Sequence, residues 1–300
     1  MPSCSKLSVE LRRARPLLGT FVDIRVTAAN AVRAERAVCA AFAAIGRVQA
    51  LMSFHDPASD ISRLNRFAAS RTVRVDAWTH RVLRRAKKLH AVTGGLFDIA
   101  TAPALVRGGW LPRVTAALPA IGGNTADIRL LTGHRVRFRR ALLIDLGGIA
   151  KGFAVDQAIS ALRRHGATAG VVNAGGDLRV FGAAREAVHL RRPEAPGEFR
   201  HLTNLQNSAL ASSAAYYTAR RIDGHLCAPV IDPRNGRPSR ESHSVTVRAR
   251  TCCLADALCK VVWLAGATAA PPVLRRYRAQ AWLLSSRQAP APPNKSRHAA

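Results

Sequence analysis

Residues 152–182 constrain the fold more than any other stretch of this 300-residue chain. A helical run over 152–165 is stopped by Gly166, and "AGVVNAGGDLRVFG" then supplies a strand, a tight glycine turn and a second strand. Two apolar strands joined by so short a turn pair antiparallel. Helices mixed with hairpins of this kind predict an α+β fold rather than a regularly alternating parallel sheet.

Other segments read by the same periodicities. "LLGTFVDIRVT", residues 17–27, alternates after Gly19 as a half-buried strand does, and 31–51 repeats apolar positions every three to four residues, as a helix does. "SFHDPASDISRLNR" follows as a polar loop. Residues 77–92 predict a helix with Val82, Leu83, Ala86 and Leu89 on one face and Gly94 placed to end it. Between 126 and 145 lie two short strands, "IRLL" and "HRVRF", and a third, "ALLID". "LCAPVID" runs into the turn-rich "DPRNGRP", "SHSVTVRAR" alternates as a strand, and 254–265 reads as a helix. The expected organisation is a basic segment over 1–16, one domain over 17–284 and a proline-rich, disordered tail over 285–300.

Composition removes some classes of function. No apolar run approaches the length of a membrane span, and the first twenty residues carry charge where an export signal is apolar. The six cysteines show no paired CxxC spacing and read as free thiols. The expected location is the cytoplasm, with the periphery of the inner membrane as the alternative. The formal charge of +28 comes from 46 basic residues, of which only six are lysines. The arginines are scattered and lack the aromatic interleaving of a single-strand binder, so no nucleic-acid partner is expected.

Three motifs carry chemistry. In "IDLGGIAKGFAVD", residues 144–156, Gly147 and Gly148 thin the backbone, Lys151 adds a charge, and a helix start follows. Two readings stand: a grip on a phosphate-bearing ligand, or a glycine-rich turn capped by Asp145. "NAGGDLRV" reads first as a plain hairpin. "LADALCKVVWLAG" sets Asp256 and Lys260 one turn apart on a helix, as an ion pair or as a carboxylate offered to a metal or phosphate.

Seven stretches in order, "LLGT", "MSFHDPASDISRLN", "GGLFDIATAPAL", "DLGGIAKGFAVD", "VVNAGGDLRV", "VIDPRNGRP" and "SVTVRARTCCLADAL", make the chain resemble the ApbE family from about Leu17 to Gly266. The resemblance implies an ApbE-like (T-fold-like) arrangement of helices and largely antiparallel sheets, as two intimate lobes around a flavin cleft. It implies a FAD:protein FMN transferase that takes FAD as substrate. Such an enzyme uses Mg²⁺, releases AMP and attaches FMN to a Thr or Ser of an acceptor flavoprotein. Asp145 and Lys151 would contact FAD, with Leu18, His55 and the segment Leu96, Phe97, Asp98 along the same ligand. The Gly148 carbonyl and the Asp256 carboxylate would hold the metal. The chain departs from the family near the chemistry. Pro229 stands where relatives carry histidine, Lys260 where they carry a metal-binding threonine, and Ala214, Ala100 and Ala102 where Gly, Thr and Gly are usual. Asp256 and Lys260 are therefore the expected catalytic pair, with an ammonium at or near the metal position. A catalytically weak FAD/FMN-binding relative is the alternative.

Overall fold

The computed structural model describes residues 8–114, 118–119, 123–192, 195–214, 218–240 and 243–285. Two strands open it, β1 (Val9–Leu17) and β2 (Thr20–Ala28), followed by α1 (Ala31–Met52), α2 (Asp60–Phe67), β3 (Val73–Arg74), α3 (Ala77–Val92) and α4 (Ala102–Arg107). The middle holds β4 (Ile128–Leu131), β5 (Arg135–Phe138), α5 (Ala150–Arg164), β6 (Ala167–Ala174) and β7 (Asp177–Phe181). Then come β8 (Glu186–Arg192), β9 (Ala195–Leu205), β10 (Ala209–Ala214), β11 (Arg220–Ile222), β12 (His225–Cys227), β13 (Ile231–Asp232) and β14 (Arg237–Pro238). β15 (His243–Ala249), α6 (Cys252–Ala269), α7 (Pro271–Tyr277) and β16 (Gln280–Ser285) complete the chain.

Seven strands form one antiparallel sheet in the order β1-β2-β6-β7-β10-β15-β16. Successive side chains of a strand point to opposite faces, and both faces here are covered. Val172 faces the main core with α1, α5 and α6, whereas Val171, Leu178, Val180 and Leu210 meet Val188 and Leu205 of the β8–β9 hairpin. The fold is α+β, as the glycine hairpin predicted. α6 has the length and apolarity of a membrane span, but its Cys252, Ala255, Asp256, Leu258 and Cys259 are fully buried in this core.

Three departures from the sequence reading have physical causes. Residues 9–16, placed outside the domain, form β1 at the sheet edge, where Arg12 pairs with Asp23 at 2.8 Å and Arg13 with Glu35. A charged edge strand has the composition of a tail but discourages pairing with other chains. The expected loop over 53–66 contains α2, capped by Ser59, whose hydroxyl accepts from the Ser62 amide at 3.0 Å. Ile61 and Leu64, three apart, bury the apolar side of α2. "ALLID" is extended but joins no ladder. The Ile144 amide donates to Asn65 Oδ1 at 2.8 Å, and the Asn65 amide donates to the Ile144 carbonyl at 2.9 Å, so one side chain replaces a neighbouring strand. The tail beyond residue 285 lies outside the described residues.

The crossing of α5 and α6 sets the tightest packing. A methyl group on Gly152 would meet the Cys252 carbonyl oxygen at 2.3 Å. Gly152→Ala should therefore lower stability by about 1–3 kcal/mol in urea denaturation, the cost of overpacking a close contact. A neutral result would show that the helices can separate freely.

Candidate functional site

The site grows from this crossing. Gly152 is in the first turn of α5, and its amide donates to Asp256 Oδ2 at 3.1 Å; Asp256, from α6, is fully buried. In return, Asp156 of α5 accepts from the first two amides of α6, Cys252 at 3.0 Å and Cys253 at 3.1 Å, and from Arg179 at 2.6 Å. First-turn amides lack partners within their own helix and favour negative charge. Each helix supplies the carboxylate that the other needs.

Two lysines complete the cluster. Lys260 Nζ lies 2.5 Å from Asp256 Oδ1 and donates to the Asp256 carbonyl at 3.3 Å, while its Cε lies 3.5 Å from where a Gly148 side chain would begin. Lys151 Nζ is 3.0 Å from Asp177 Oδ2, in ionic contact without the alignment of a hydrogen bond among the described residues. Burial raises the Asp177 carboxyl to about 6, helped by the Asp256 charge and only partly offset by Lys151 and Lys260. Burial works against the ammonium of Lys151, but Asp177 and Asp256 outweigh it and hold its pKa above the usual lysine value. Lys260 is also raised: burial opposes its charge, and Asp256 overcomes that.

Further expected residues gather at the rim. Asp145 accepts from the Gly147 amide at 2.9 Å; burial pushes its carboxyl up, against the pull of that amide, His55 and Lys260. Its own amide donates to the Ile99 carbonyl at 2.9 Å, tying the 96–99 segment to the glycine turn. Leu96 is half-buried there, but Phe97 is in the core. The Asp98 carboxylate is turned inward to the Thr125 hydroxyl at 2.7 Å and the Ala100 amide at 2.7 Å. Asp98 thus braces the segment. Leu18 and Gly19 both adopt positive φ, +57° and +69°, the two-residue turn that a right-twisted hairpin favours. A leucine rarely adopts this conformation, and here its amide is held by Gln49 Oε1 at 2.6 Å. Gly175 of the "NAGGD" turn packs on Thr20, next to this hairpin.

The sequence reading took Asp177 only as part of a tight turn and gave neither it nor Asp156 a role in the site. Asp177 opens β7, and its importance comes from Lys151 on α5; Asp156 lies 96 residues from the amide it caps. One signal was available: a buried acid in each of two otherwise apolar segments needs a partner. Pro229 sits between Ala228 and Val230, which exchange backbone bonds of 2.8 Å each with Ser239, so no imidazole faces the site from this position.

A divalent cation at Asp256 does not fit these residues. Both carboxylate oxygens are engaged, one by a cation, and an ammonium has no lone pair to offer a metal.

An antiparallel sheet backed by crossed helices, with Lys151, Asp177, Asp256 and Lys260 gathered beside the crossing, defines an α+β protein. The chain matches the ApbE family model over residues 18–283, and it belongs to that family. It is 26% identical over 274 residues to the FAD:protein FMN transferase of Vibrio cholerae, covering 86% of this chain and 82% of that one. With the FAD:protein FMN transferase of Haemophilus influenzae it shares 28% identity over 258 residues, 79% of this chain and 75% of the relative. Its fold matches the apo flavinyl transferase ApbE of Pseudomonas stutzeri with a TM-score of 0.79 at 20% identity, over 93% and 92% of the two chains. The flavin transferase ApbE of Vibrio cholerae matches with a TM-score of 0.77 at 21% identity, over 93% and 94%.

Asp177 should titrate near 6 and Asp232, paired with Arg234, below the usual carboxylate range. Carbon-detected NMR of the carboxyl groups would follow both; a midpoint for Asp177 under about 4 contradicts the burial argument. Across this window the folded protein keeps a proton the unfolded chain has lost. Asp177 therefore makes stability fall as pH rises from about 4 to about 6, and Asp177→Asn should remove that slope.

Proposed function

We propose that this chain is a FAD:protein FMN transferase. Curated relatives of that name align over most of its length. The observation that carries the reading is the cluster beside the α5–α6 crossing, where Lys151, which the resemblance assigns to FAD, meets buried Asp177 at 3.0 Å and Lys260 lies over Gly148.

In the proposed reaction the hydroxyl oxygen of an acceptor Ser or Thr bonds to the phosphorus of the FMN half. The bond from that phosphorus to the bridging oxygen breaks, AMP leaves with the electron pair, and the hydroxyl proton is released. Phosphoryl transfer of this kind needs positioning and charge stabilisation more than covalent help. Lys151 would hold the diphosphate, Asp145 and the Gly147–Gly148 turn its approach to the backbone, and Leu18, His55 and Leu96 the flavin side. Mg²⁺, when bound to the phosphates, would neutralise charge on them; at Asp256 it would have to displace Lys260. Pro229 favours a second reading, a flavin-binding protein with weak transfer, because its side chain moves no proton.

Purified protein incubated with FAD and a Ser/Thr acceptor flavoprotein, with and without Mg²⁺, separates the two. The transferase yields AMP and in-gel fluorescent acceptor in equal amounts. FAD binding without AMP under either condition leaves the second reading, and no FAD binding discards both. Lys151→Ala should weaken FAD binding by about tenfold or more, the loss of a charge-assisted contact; unchanged affinity would remove Lys151 from the site.

A further inference from the structure

We infer that Lys260 stands in for the divalent metal of this site: a cation built into the chain, held on Asp256 beside Gly148, that meets the diphosphate of the bound dinucleotide directly. The ligand named here rests on the flavin-transferase reading; the position of the cation rests on this chain's own geometry.

Asp256 is held from the other side as well: its second oxygen accepts from the Gly152 amide, and its side chain is fully buried. Lys260 follows one turn later on the same helix, and two contacts return its ammonium to Asp256, at 2.5 Å to Oδ1 and 3.3 Å to the carbonyl. An ammonium carries three N–H donors, so one remains for a ligand. The aliphatic stem runs over Gly148, at ordinary contact distance from where a side chain would begin. A lysine sets a compact charge at the end of this stem, where an arginine would set a wider planar fork. That this chain carries a lysine here, although all but six of its 46 basic residues are arginines, agrees with a place for the compact charge.

Charge balance points the same way. Asp177 and Asp256 carry two negative charges, and Lys151 alone would leave the ligand-free cluster negative and repel a diphosphate. Lys260 brings the cluster to neutrality. A surface i,i+4 pair would do none of this: its carboxylate is solvated, whereas Asp256 has no exposed surface. Lys260 itself keeps side-chain exposure of 24%, enough to be reached from outside.

Calorimetry tests the inference on the full chain, with MgCl₂ alone and then with FAD in EDTA or in Mg²⁺. The wild type should give no heat with MgCl₂, and its FAD affinity should change by less than about threefold when Mg²⁺ replaces EDTA. Lys260→Thr supplies an oxygen donor; it should acquire Mg²⁺ binding. Its FAD affinity should fall by about tenfold or more in EDTA and recover with Mg²⁺. Lys260→Arg replaces the compact charge by a planar fork and should bind FAD more weakly than wild type under both conditions. Mg²⁺ binding by the wild type that disappears in Asp256→Ala overturns the inference, as does Lys260→Thr binding FAD in EDTA as tightly as wild type. Should Lys260→Thr fail to fold, the wild-type titrations decide. Wild type that binds FAD only with Mg²⁺ overturns the inference and leaves the transferase reading standing. Wild type that binds no FAD under any condition overturns the flavin reading itself.

Discussion

Two helices that begin at the same place hold each other there. Asp256 of α6 takes a first-turn amide of α5, and Asp156 of α5 takes two first-turn amides of α6. The arrangement requires Gly152, because no side chain fits between its Cα and the Cys252 carbonyl. Buried carboxylates are costly unless fully bonded, and here the orphan amides of the helix starts supply those bonds. Arg179 on β7 adds a charge to Asp156 and ties the crossing to the sheet.

The chemistry inherits its precision from that crossing. Lys151 rides on α5 and Lys260 on α6, so their relative position is set by contacts neither lysine makes. Asp177 at the head of β7 fixes Lys151, and Asp256 fixes Lys260. The result is a neutral cluster of four charges beside a glycine turn, with Asp145 and His55 at its edge. Membership of the ApbE family gives this cluster a context, and Lys260 makes it unlike a site designed around an oxygen-ligated metal.

Periodicity made much of the fold legible. β2, α1, α3, the α5–β6–β7 unit, β15 and α6 all lie where the alternation of apolar residues put them, with ends moved by a few residues. What was illegible depended on distant partners. β1 looks like a basic tail until β2 pairs with it, and "ALLID" looks like a strand until Asn65 occupies its hydrogen bonds. The hairpin β8–β9 is placed by packing on one face of the sheet, and the edge strand β16 by pairing with β15. α2 hid behind its polar composition, although Ser59 is a recognisable cap. In the site, the Asp256–Lys260 pair was readable because its partners are one turn apart. Asp156 and Asp177 were not, because nothing local says which amide or ammonium a buried acid will meet.

The most direct test of the reciprocal hold is amide hydrogen exchange at Gly152, Cys252 and Cys253. Amides in the first turn of a helix ordinarily exchange fast, having no partner within it. These three should rank with the slowest amides of the protein, opening only when the whole core opens. Exchange at the rate of a solvent-exposed helix start would contradict the reciprocal hold and would leave the two lysines without a fixed frame.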